Sequence, residues 1–246
     1  MNNVFVLMKR QLRAYVYTPT AAVILASFLV VSGLSFCRPL SRRLGEQVAL
    51  GELLFQVPAF WVAVLGAAAL LTIPLLAEER RSGAWELLVT APLTDLQIVL
   101  GKYAAALLFF MTLTALPAAY FILLRLMAPG LAGLDLRPVA SGCLIVWLMG
   151  SAFLAIGLWV SALTRQPAVA AAGAFLAGGA LFFWDSWQLF WPAARGPAWL
   201  AHLSGVSPIE DFARGVLDTR PLVLYLSLSV CFLFVAVKTV EARRWR

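Results

Sequence analysis

The sequence predicts an all-α, polytopic membrane protein, and three observations carry this prediction. Hydrophobic residues make up 62% of the 246 residues, whereas charged residues make up 13%. The mean hydropathy is +0.89, so long uncharged stretches rather than a soluble core organise the chain. Several of these stretches approach the roughly 20 residues that a helix needs to cross a bilayer about 30 Å thick. Because backbone groups in lipid must be paired within their own segment, each stretch is expected to be a helix.

The expected elements fill the chain as a single transmembrane domain, 1–246. A basic opening helix at 3–17 precedes the first span. The six expected spans lie near 19–37, 55–77, 103–126, 139–163, 168–190 and 221–238. A loop at 78–102 joins the second and third spans, and an external loop at 191–220 precedes the sixth. Within the latter, Ser207-Pro208 followed by two acids predicts a short helix.

The opening segment is basic and mildly amphipathic. Its apolar face would hold Val4, Phe5, Leu7, Met8 and Leu12, while Lys9, Arg10 and Arg13 point elsewhere. This pattern favours a helix lying in the membrane interface, and the alternative is a basic flank that only orients the first span. It does not resemble a cleaved signal peptide, since a short apolar region with a small-residue exit is missing.

The distribution of basic residues predicts the orientation. With six spans both termini share one side of the membrane. Eleven of the nineteen Lys and Arg residues fall on that side: Lys9, Arg10, Arg13, Arg80, Arg81, Lys102, Arg165, Lys238, Arg243, Arg244 and Arg246. The positive-inside rule then places both termini in the cytoplasm, with the chain in the plasma membrane, although Arg38, Arg42 and Arg43 run against this bias. The net charge of +7 suits anionic lipid better than nucleic acid, because aromatic residues that could stack on bases are not interleaved with it.

The interiors of the spans hold few ionisable groups, which argues against a proton- or sodium-coupled transporter. Cys37, Cys143 and Cys231 are scattered and are interpreted as packing residues, so no metal site is expected. Isolated serines occur in the spans without a histidine or carboxylate at the same depth: Ser27, Ser32, Ser141 and Ser151. An intramembrane enzyme and a purely structural scaffold are therefore the alternatives from other classes.

Two features of the spans concern packing and bending. Ala170, Ala174 and Gly178 recur every four residues in the fifth span and would let another helix approach closely, either within the subunit or across a dimer. Pro74 and Pro117 are expected to kink the second and third spans, because proline lacks the N–H that the helix requires.

The loop at 78–102 is expected to form a short helical hairpin-like element at the membrane surface, and the alternative is a solvated loop whose charges only set the topology. Glu78 and Arg81 are three residues apart and could pair on the first helix. Trp85, Leu88 and Val89 would give this helix an apolar side before Pro92 interrupts it. Thr94 and Gln97 match a capping box, which predicts that the next helix begins there and continues into the third span.

This loop and the end of the chain resemble the ABC-2 type permeases of ATP-binding-cassette transporters, in particular the gliding-motility and nitrous-oxide-maturation branch. The first matching run is Glu78-Glu79-Arg80-Arg81-Ser82-Gly83-Ala84-Trp85-Glu86-Leu87-Leu88-Val89-Thr90-Ala91-Pro92, followed by Gly101-Lys102. The second extends from Asp211-Phe212-Ala213-Arg214-Gly215 to Asp218-Thr219-Arg220, and Glu241 to Arg246 closes the chain. Family members usually have an acid after this second run, where this chain has Pro221.

The resemblance implies a non-catalytic membrane subunit whose surface helices dock on a separate ATPase. The residues implied in coupling are Glu78, Glu79, Arg80, Arg81, Gly83, Trp85, Glu86, Leu87, Leu88, Pro92, Gly101 and Lys102. Gly101-Lys102 is not a phosphate-binding loop, because Leu96 replaces its first glycine and Tyr103 its Ser or Thr. No cofactor is therefore expected on this chain, and ATP and Mg²⁺ belong to the ATPase.

The resemblance also implies further partners. A second copy of the permease or a paralogue would complete a dimer, so that two coupling elements meet two ATPases. The family branch also suggests a membrane subunit with a large external domain. Export of a substrate and transmission of force across the membrane are both consistent with the sequence.

Overall fold

The computed structural model describes residues 2–42, 51–83, 93–127, 137–183 and 206–244 of the chain. All regular secondary structure in these ranges is helical, which confirms the all-α prediction. The helices are α1 Asn2–Tyr17, α2 Pro19–Arg42, α3 Glu52–Phe55, α4 Pro58–Thr72, α5 Ala77–Ser82, α6 Asp95–Ala115, α7 Ala118–Met127, α8 Arg137–Leu163, α9 Pro167–Phe182, α10 Val206–Ala213 and α11 Thr219–Arg244.

Five helical segments in the described ranges are long and apolar enough to cross a membrane: Pro19–Leu40, Pro58–Ser82, Asp95–Leu124, Arg137–Leu163 and Thr219–Ala242. The expected fifth span begins as the shorter apolar helix α9, and residues 184–190 of that prediction lie outside the described residues. The chain is thus a multi-pass membrane protein. The last helix, α11, continues to Arg244 rather than stopping near 238, and on this extension Lys238 pairs with Glu241 at 2.7 Å.

The two prolines interrupt their spans as expected. Around Pro74, residues 73–76 form turns between α4 and α5, and Leu116 and Pro117 form a turn between α6 and α7. Each break frees backbone groups that a continuous helix would pair internally. The partners of the groups freed near Pro74 define the site described below.

Helix α8 forms the centre of the bundle and packs against α4, α6, α9 and α11. Its side chains Leu154, Ala155 and Leu158 are fully buried. Small residues let α9 pack closely on this core, because a Cβ atom at Gly178 would lie 3.1 Å from Leu65 and 3.4 Å from Phe153. Ala170 and Ala174 are buried on the same side. The four-residue repeat of α9 therefore serves packing within the subunit.

The surface of the bundle bears on two sequence interpretations. Phe5 of α1 is 60% exposed, whereas Leu7 is buried against Ile98 of α6. Cys37 and Cys231 are exposed and are not packing residues, because they lie on the outward faces of α2 and α11. These faces are otherwise apolar, as expected of helices that contact lipid or another membrane subunit.

The bundle has two ends, which we name after their short helices. The α10 end joins α3, α10 and the start of α8: Ser141 Oγ donates to the Phe212 carbonyl at 2.6 Å, and Arg214 pairs with Glu52 at 3.3 Å. Gly215 follows α10 with a φ of +89°, a conformation that favours glycine. The second motif thus lies at this end. The α5 end holds α1, α5 and the start of α6, and it contains the first motif.

Candidate coupling site

The candidate site is built around α5, the short helix after the Pro74 break. α5 begins at Ala77 and ends at Ser82. It stops because Gly83 takes a φ of +76°, the left-handed conformation that ends many helices and that side chains disfavour. Residues 84–92 lie outside the described residues, so the predicted positions of Trp85, Glu86, Leu87, Leu88 and Pro92 are not part of this geometry.

The charged residues of α5 divide between two faces. Glu78 and Arg81 are exposed, whereas Glu79 and Arg80 are half-buried against the bundle. The structure pairs Glu79, not Glu78, because Glu79 is on the face turned toward α6 and its buried Lys102. The expected pair between Glu78 and Arg81 is therefore wrong. Of the four charged side chains, Glu79 and Arg80 therefore contact the bundle, and Glu78 and Arg81 are exposed.

The Glu79–Lys102 ion pair joins α5 to α6. Lys102 is 2% exposed and Glu79 is 18% exposed. Lys102 Nζ donates to Glu79 Oε2 and also to the backbone carbonyl of Leu75 in the broken turn. A buried ammonium needs such partners, because an unpaired charge in a low-dielectric interior is costly. One side chain of α6 thus holds both α5 and the unwound turn before it.

Two hydrogen bonds join α5 to the central helix α8. The Ala77 N–H donates to Ser161 Oγ at 3.0 Å, and Arg80 Nη1 donates to the Ala162 carbonyl. Ala77 is the first residue of α5, so its N–H has no partner within the helix. Ser161 therefore replaces a bond that the proline break removes.

Helix α1 closes the site from a third direction. Gly101 permits its close approach, because a Cβ there would lie 2.9 Å from Leu7 Cβ and 3.2 Å from the Val4 carbonyl. Farther along α1, Tyr15 Oη donates to the Leu71 carbonyl at 2.6 Å. Burial raises the pKa of the Tyr15 phenol, so the donor stays protonated. Gly101 and Lys102 are thus adjacent residues with separate tasks, one for α1 and one for α5.

The start of α6 has the predicted capping box. Gln97 N donates to Thr94 Oγ1 at 3.3 Å, and Thr94 N donates to Gln97 Oε1 at 3.3 Å. Ile98, one residue later, is buried against Leu7 of α1, with Leu93 packed beside them. These contacts fix where the chain that returns from 84–92 enters α6.

The structure brings together four residues predicted from the motif, Glu79, Arg80, Gly101 and Lys102, and leaves Glu78 and Arg81 outward. It adds Tyr15 and Ser161, which sequence reasoning did not single out. Tyr15 lies on the buried stripe of α1 with Leu7 and Gln11, a spacing that could have indicated it. Ser161 carries no such signal, since serines are common in apolar spans and usually bond their own backbone.

The contacts that the site shows are one ion pair and hydrogen bonds to backbone groups. No group of three or more His, Cys, Asp or Glu side chains within these ranges could hold a metal ion. Lys102 instead bonds to Glu79 and to the Leu75 carbonyl, and Ser161 accepts from the Ala77 N–H.

One family sequence model matches the part of the chain that contains α5 and the start of α6. The model described as ABC-2 family transporter protein matches residues 42–227, which cover well over half of the chain and include the candidate site from Ala77 to Lys102. Helix α1 lies before the matched range. A comparison with curated proteins gives no match to this chain. The chain, a multi-pass membrane protein, therefore belongs to the ABC-2 transporter family.

Proposed function

We propose that this chain is the permease subunit of an ATP-binding-cassette transporter and that it transmits ATP hydrolysis by a separate ATPase into movement of the membrane bundle. Family membership supports a role in transport and implies an ATPase partner. On the external side of the membrane, the movement of the bundle would either export a substrate or transmit force to an external protein. The gliding-motility and nitrous-oxide-maturation permeases, which the motifs resemble, are the branch to which we assign it.

One observation carries this proposal: the short helix α5 is fixed to three other helices but keeps two charges outward. Lys102 ties it to α6, Ser161 and Ala162 tie it to α8, and the turn at 73–76 connects it to α4. A push on the exposed face would therefore reach three membrane-spanning segments at once. A merely solvated loop would not require buried anchors of this kind.

The roles of the motif residues follow from their exposure. Glu78 and Arg81 contact the ATPase, together with Trp85, Glu86, Leu87 and Leu88 of the segment that ends at Pro92. Glu79, Arg80 and Lys102 hold α5 on the bundle, Gly101 admits α1, and Gly83 ends the helix. None of these residues is assigned a catalytic role, since ATP and Mg²⁺ would be bound by the ATPase.

The proposed assembly rests on the resemblance to the ABC-2 permeases. We propose a dimer with a second copy or a paralogous permease, two ATPases on the cytoplasmic side, and a further membrane subunit with a large external domain. The α5 end and both termini would face the cytoplasm. The chain would lie in the plasma membrane of a bacterium, which is its inner membrane. Nucleic acid is not a proposed partner, and the lipid bilayer accounts for the basic flanks.

Affinity purification of the full chain in mild detergent tests this function. The expected result is a stoichiometric ATPase whose turnover changes when this chain is removed from the complex. The variant Glu78→Gln is expected to abolish that dependence while leaving the bundle folded, because Glu78 is exposed. Purification of the chain without any nucleotide-hydrolysing partner would contradict the proposal.

A further inference from the structure

The turn at 73–76, which joins α4 to α5, changes the hydrogen-bond partners of the backbone. Pro74 has no N–H, and the chain around it leaves the α-helical pattern. The Leu75 N–H donates to the Thr72 carbonyl at 3.3 Å, whereas in a continuous α-helix it would donate to Leu71, four residues back. The turn therefore takes away the donor that a continuous helix would give to the Leu71 carbonyl.

A side chain of α1 replaces this donor. Tyr15 Oη donates to the Leu71 carbonyl at 2.6 Å. The surroundings are buried, because Leu71, Leu75 and Leu76 are each 0% exposed. A backbone carbonyl left without a donor in such an interior is costly, since solvent cannot satisfy it. The Tyr15 hydroxyl thus stabilises the turn in its broken form.

The Tyr15 ring is held in place by α6. It is 5% exposed and stacks on Phe109, with ring centroids 5.2 Å apart and ring planes at 28°. Two turns earlier on α1, Leu7 is buried against Ile98 at the start of α6. Tyr15 therefore connects the turn before α5 to both α1 and α6. Helix α1 precedes the range that the ABC-2 family model matches.

Two donors can serve the Leu71 carbonyl, and the shape of the turn decides between them. In the broken form the donor is the Tyr15 hydroxyl. If α4 straightened into α5, the Leu75 N–H would return to the Leu71 carbonyl. Removing the last donor of a buried acceptor costs more than removing one of two. The Tyr15 bond is therefore worth most while the turn is broken, and it is worth little once the helix is continuous.

We propose that the turn at 73–76 is a hinge between α4 and α5 and that Tyr15 is the positioning residue that holds this hinge in its broken form. Helix α1 is then tied to the end of α4 in the broken form and released from it in the straightened form. The part of this inference that concerns coupling rests on the proposed function, because α5 is the helix on which the ATPase would act. The hinge itself does not depend on that function.

Thermal unfolding of the purified full chain tests the hinge, using Tyr15→Phe, Pro74→Ala and the double variant. In the wild-type background, Tyr15→Phe is expected to lower the midpoint by about 2–4 °C, because a buried carbonyl loses its donor. Pro74→Ala lets the helix continue and gives the Leu71 carbonyl its N–H donor. In that background Tyr15→Phe should lower the midpoint by less than about 1 °C. Equal shifts in the two backgrounds, or no shift in the wild type, would overturn the proposal.

Two other tyrosines provide matched controls. Tyr103 of α6 is also buried, and its Oη donates to the Ser151 carbonyl of α8 at 3.1 Å, away from the turn. Tyr103→Phe should therefore shift the midpoint by the same amount with and without Pro74→Ala. Tyr17 is 84% exposed, so Tyr17→Phe should leave the midpoint unchanged in both backgrounds. If Pro74→Ala also removed the effect of Tyr103→Phe, the dependence on Pro74 would not be specific to Tyr15, and the proposal would fail.

ATPase turnover of the purified complex tests the part of the hinge in coupling, at a temperature at which every variant is folded. The loss of one hydrogen bond shifts the balance between the two forms by about two- to tenfold. Tyr15→Phe should therefore weaken the dependence of turnover on this chain, and Tyr103→Phe should leave it in place. Wild-type dependence with Tyr15→Phe would overturn the role of the hinge in coupling. The absence of any ATPase partner would instead overturn the proposed function, and the unfolding test of the hinge would still apply.

Discussion

Glu78 and Glu79 are neighbours in sequence but have opposite surroundings. Glu78 is exposed, whereas Glu79 pairs with buried Lys102. Replacing Glu79 leaves an ammonium without its carboxylate, and breaking a buried pair in this way costs about 3–5 kcal/mol. We expect Glu79→Gln to lower the free energy of unfolding by this amount. Thermal or denaturant unfolding in detergent measures it.

Glu78→Gln is the matched control for that prediction, since the same change one residue earlier removes an exposed charge. Its effect on stability should stay within about 0.5 kcal/mol. The double variant Glu79→Met with Lys102→Met should be more stable than Glu79→Gln alone, because no uncompensated charge remains. Equal stabilities of Glu79→Gln and Glu78→Gln would show that the pair does not hold α5.

The sequence predicted that these residues matter, but it did not predict which groups they contact. The motif drew attention to Glu79, Arg80 and Lys102, but the pair proposed on helical spacing was Glu78 with Arg81. Spacing along one helix reports only neighbours on that helix. Lys102 is 23 positions from Glu79, and Ser161 is 84 positions from Ala77, so these bonds depend on how the helices pack.

The break at Pro74 separates helix α5 from helix α4. Pro74→Ala would let α4 continue, since the alanine restores an N–H and has a high helix propensity. We expect this variant to fold with unchanged or higher stability but to weaken the dependence of the partner's ATPase turnover on this chain. Turnover of the purified complex measures the effect.

Pro117→Ala serves as the comparison for Pro74→Ala, because it changes the other proline break, between α6 and α7, away from the α5 end. It should leave the dependence of turnover on this chain in place. If the two substitutions act alike, the break before α5 has no special part in coupling. The breaks themselves could be predicted from the sequence, since proline removes a donor wherever it occurs in a helix.

A second element-scale prediction concerns the contact between α1 and α6. Gly101→Ala places a Cβ 2.9 Å from Leu7 Cβ, so α1 must shift, at a cost of about 1–3 kcal/mol. Gly66→Ala is the control: nothing lies within 4 Å of its added Cβ, and alanine stabilises a helix by about 1 kcal/mol relative to glycine. Unfolding midpoints should therefore move in opposite directions. A neutral Gly101→Ala would contradict the close packing of α1.

For the whole molecule, composition and hydropathy were enough to predict a helical membrane bundle, because length and apolarity alone decide which segments can span. The structure adds what patterns do not encode: α8 is central, and Gly178 of α9 packs on Leu65 of α4 and Phe153 of α8. An apolar helix looks alike in sequence whether it meets lipid or protein, so its buried side emerges only from packing.

The orientation of the whole bundle in the membrane is also predicted, with the α5 end in the cytoplasm. Arg81 lies at the α5 end and Arg220 near the α10 end, and both are exposed. Arg81→Cys and Arg220→Cys are introduced into a variant without Cys37, Cys143 and Cys231. A membrane-impermeant maleimide should label the Arg220→Cys protein in intact cells and the Arg81→Cys protein in inverted vesicles. The reverse pattern would place the α5 end outside.

We propose that α5 couples ATP hydrolysis by a separate ATPase to movement of the bundle. ATPase turnover of the purified complex tests this proposal most directly. The account predicts that Glu78→Gln abolishes the dependence of turnover on this chain, while the unfolding midpoint of the subunit and its association with the ATPase stay at wild-type values. Wild-type turnover and dependence in a complex carrying Glu78→Gln would contradict the assignment of the outward face of α5 as the coupling surface.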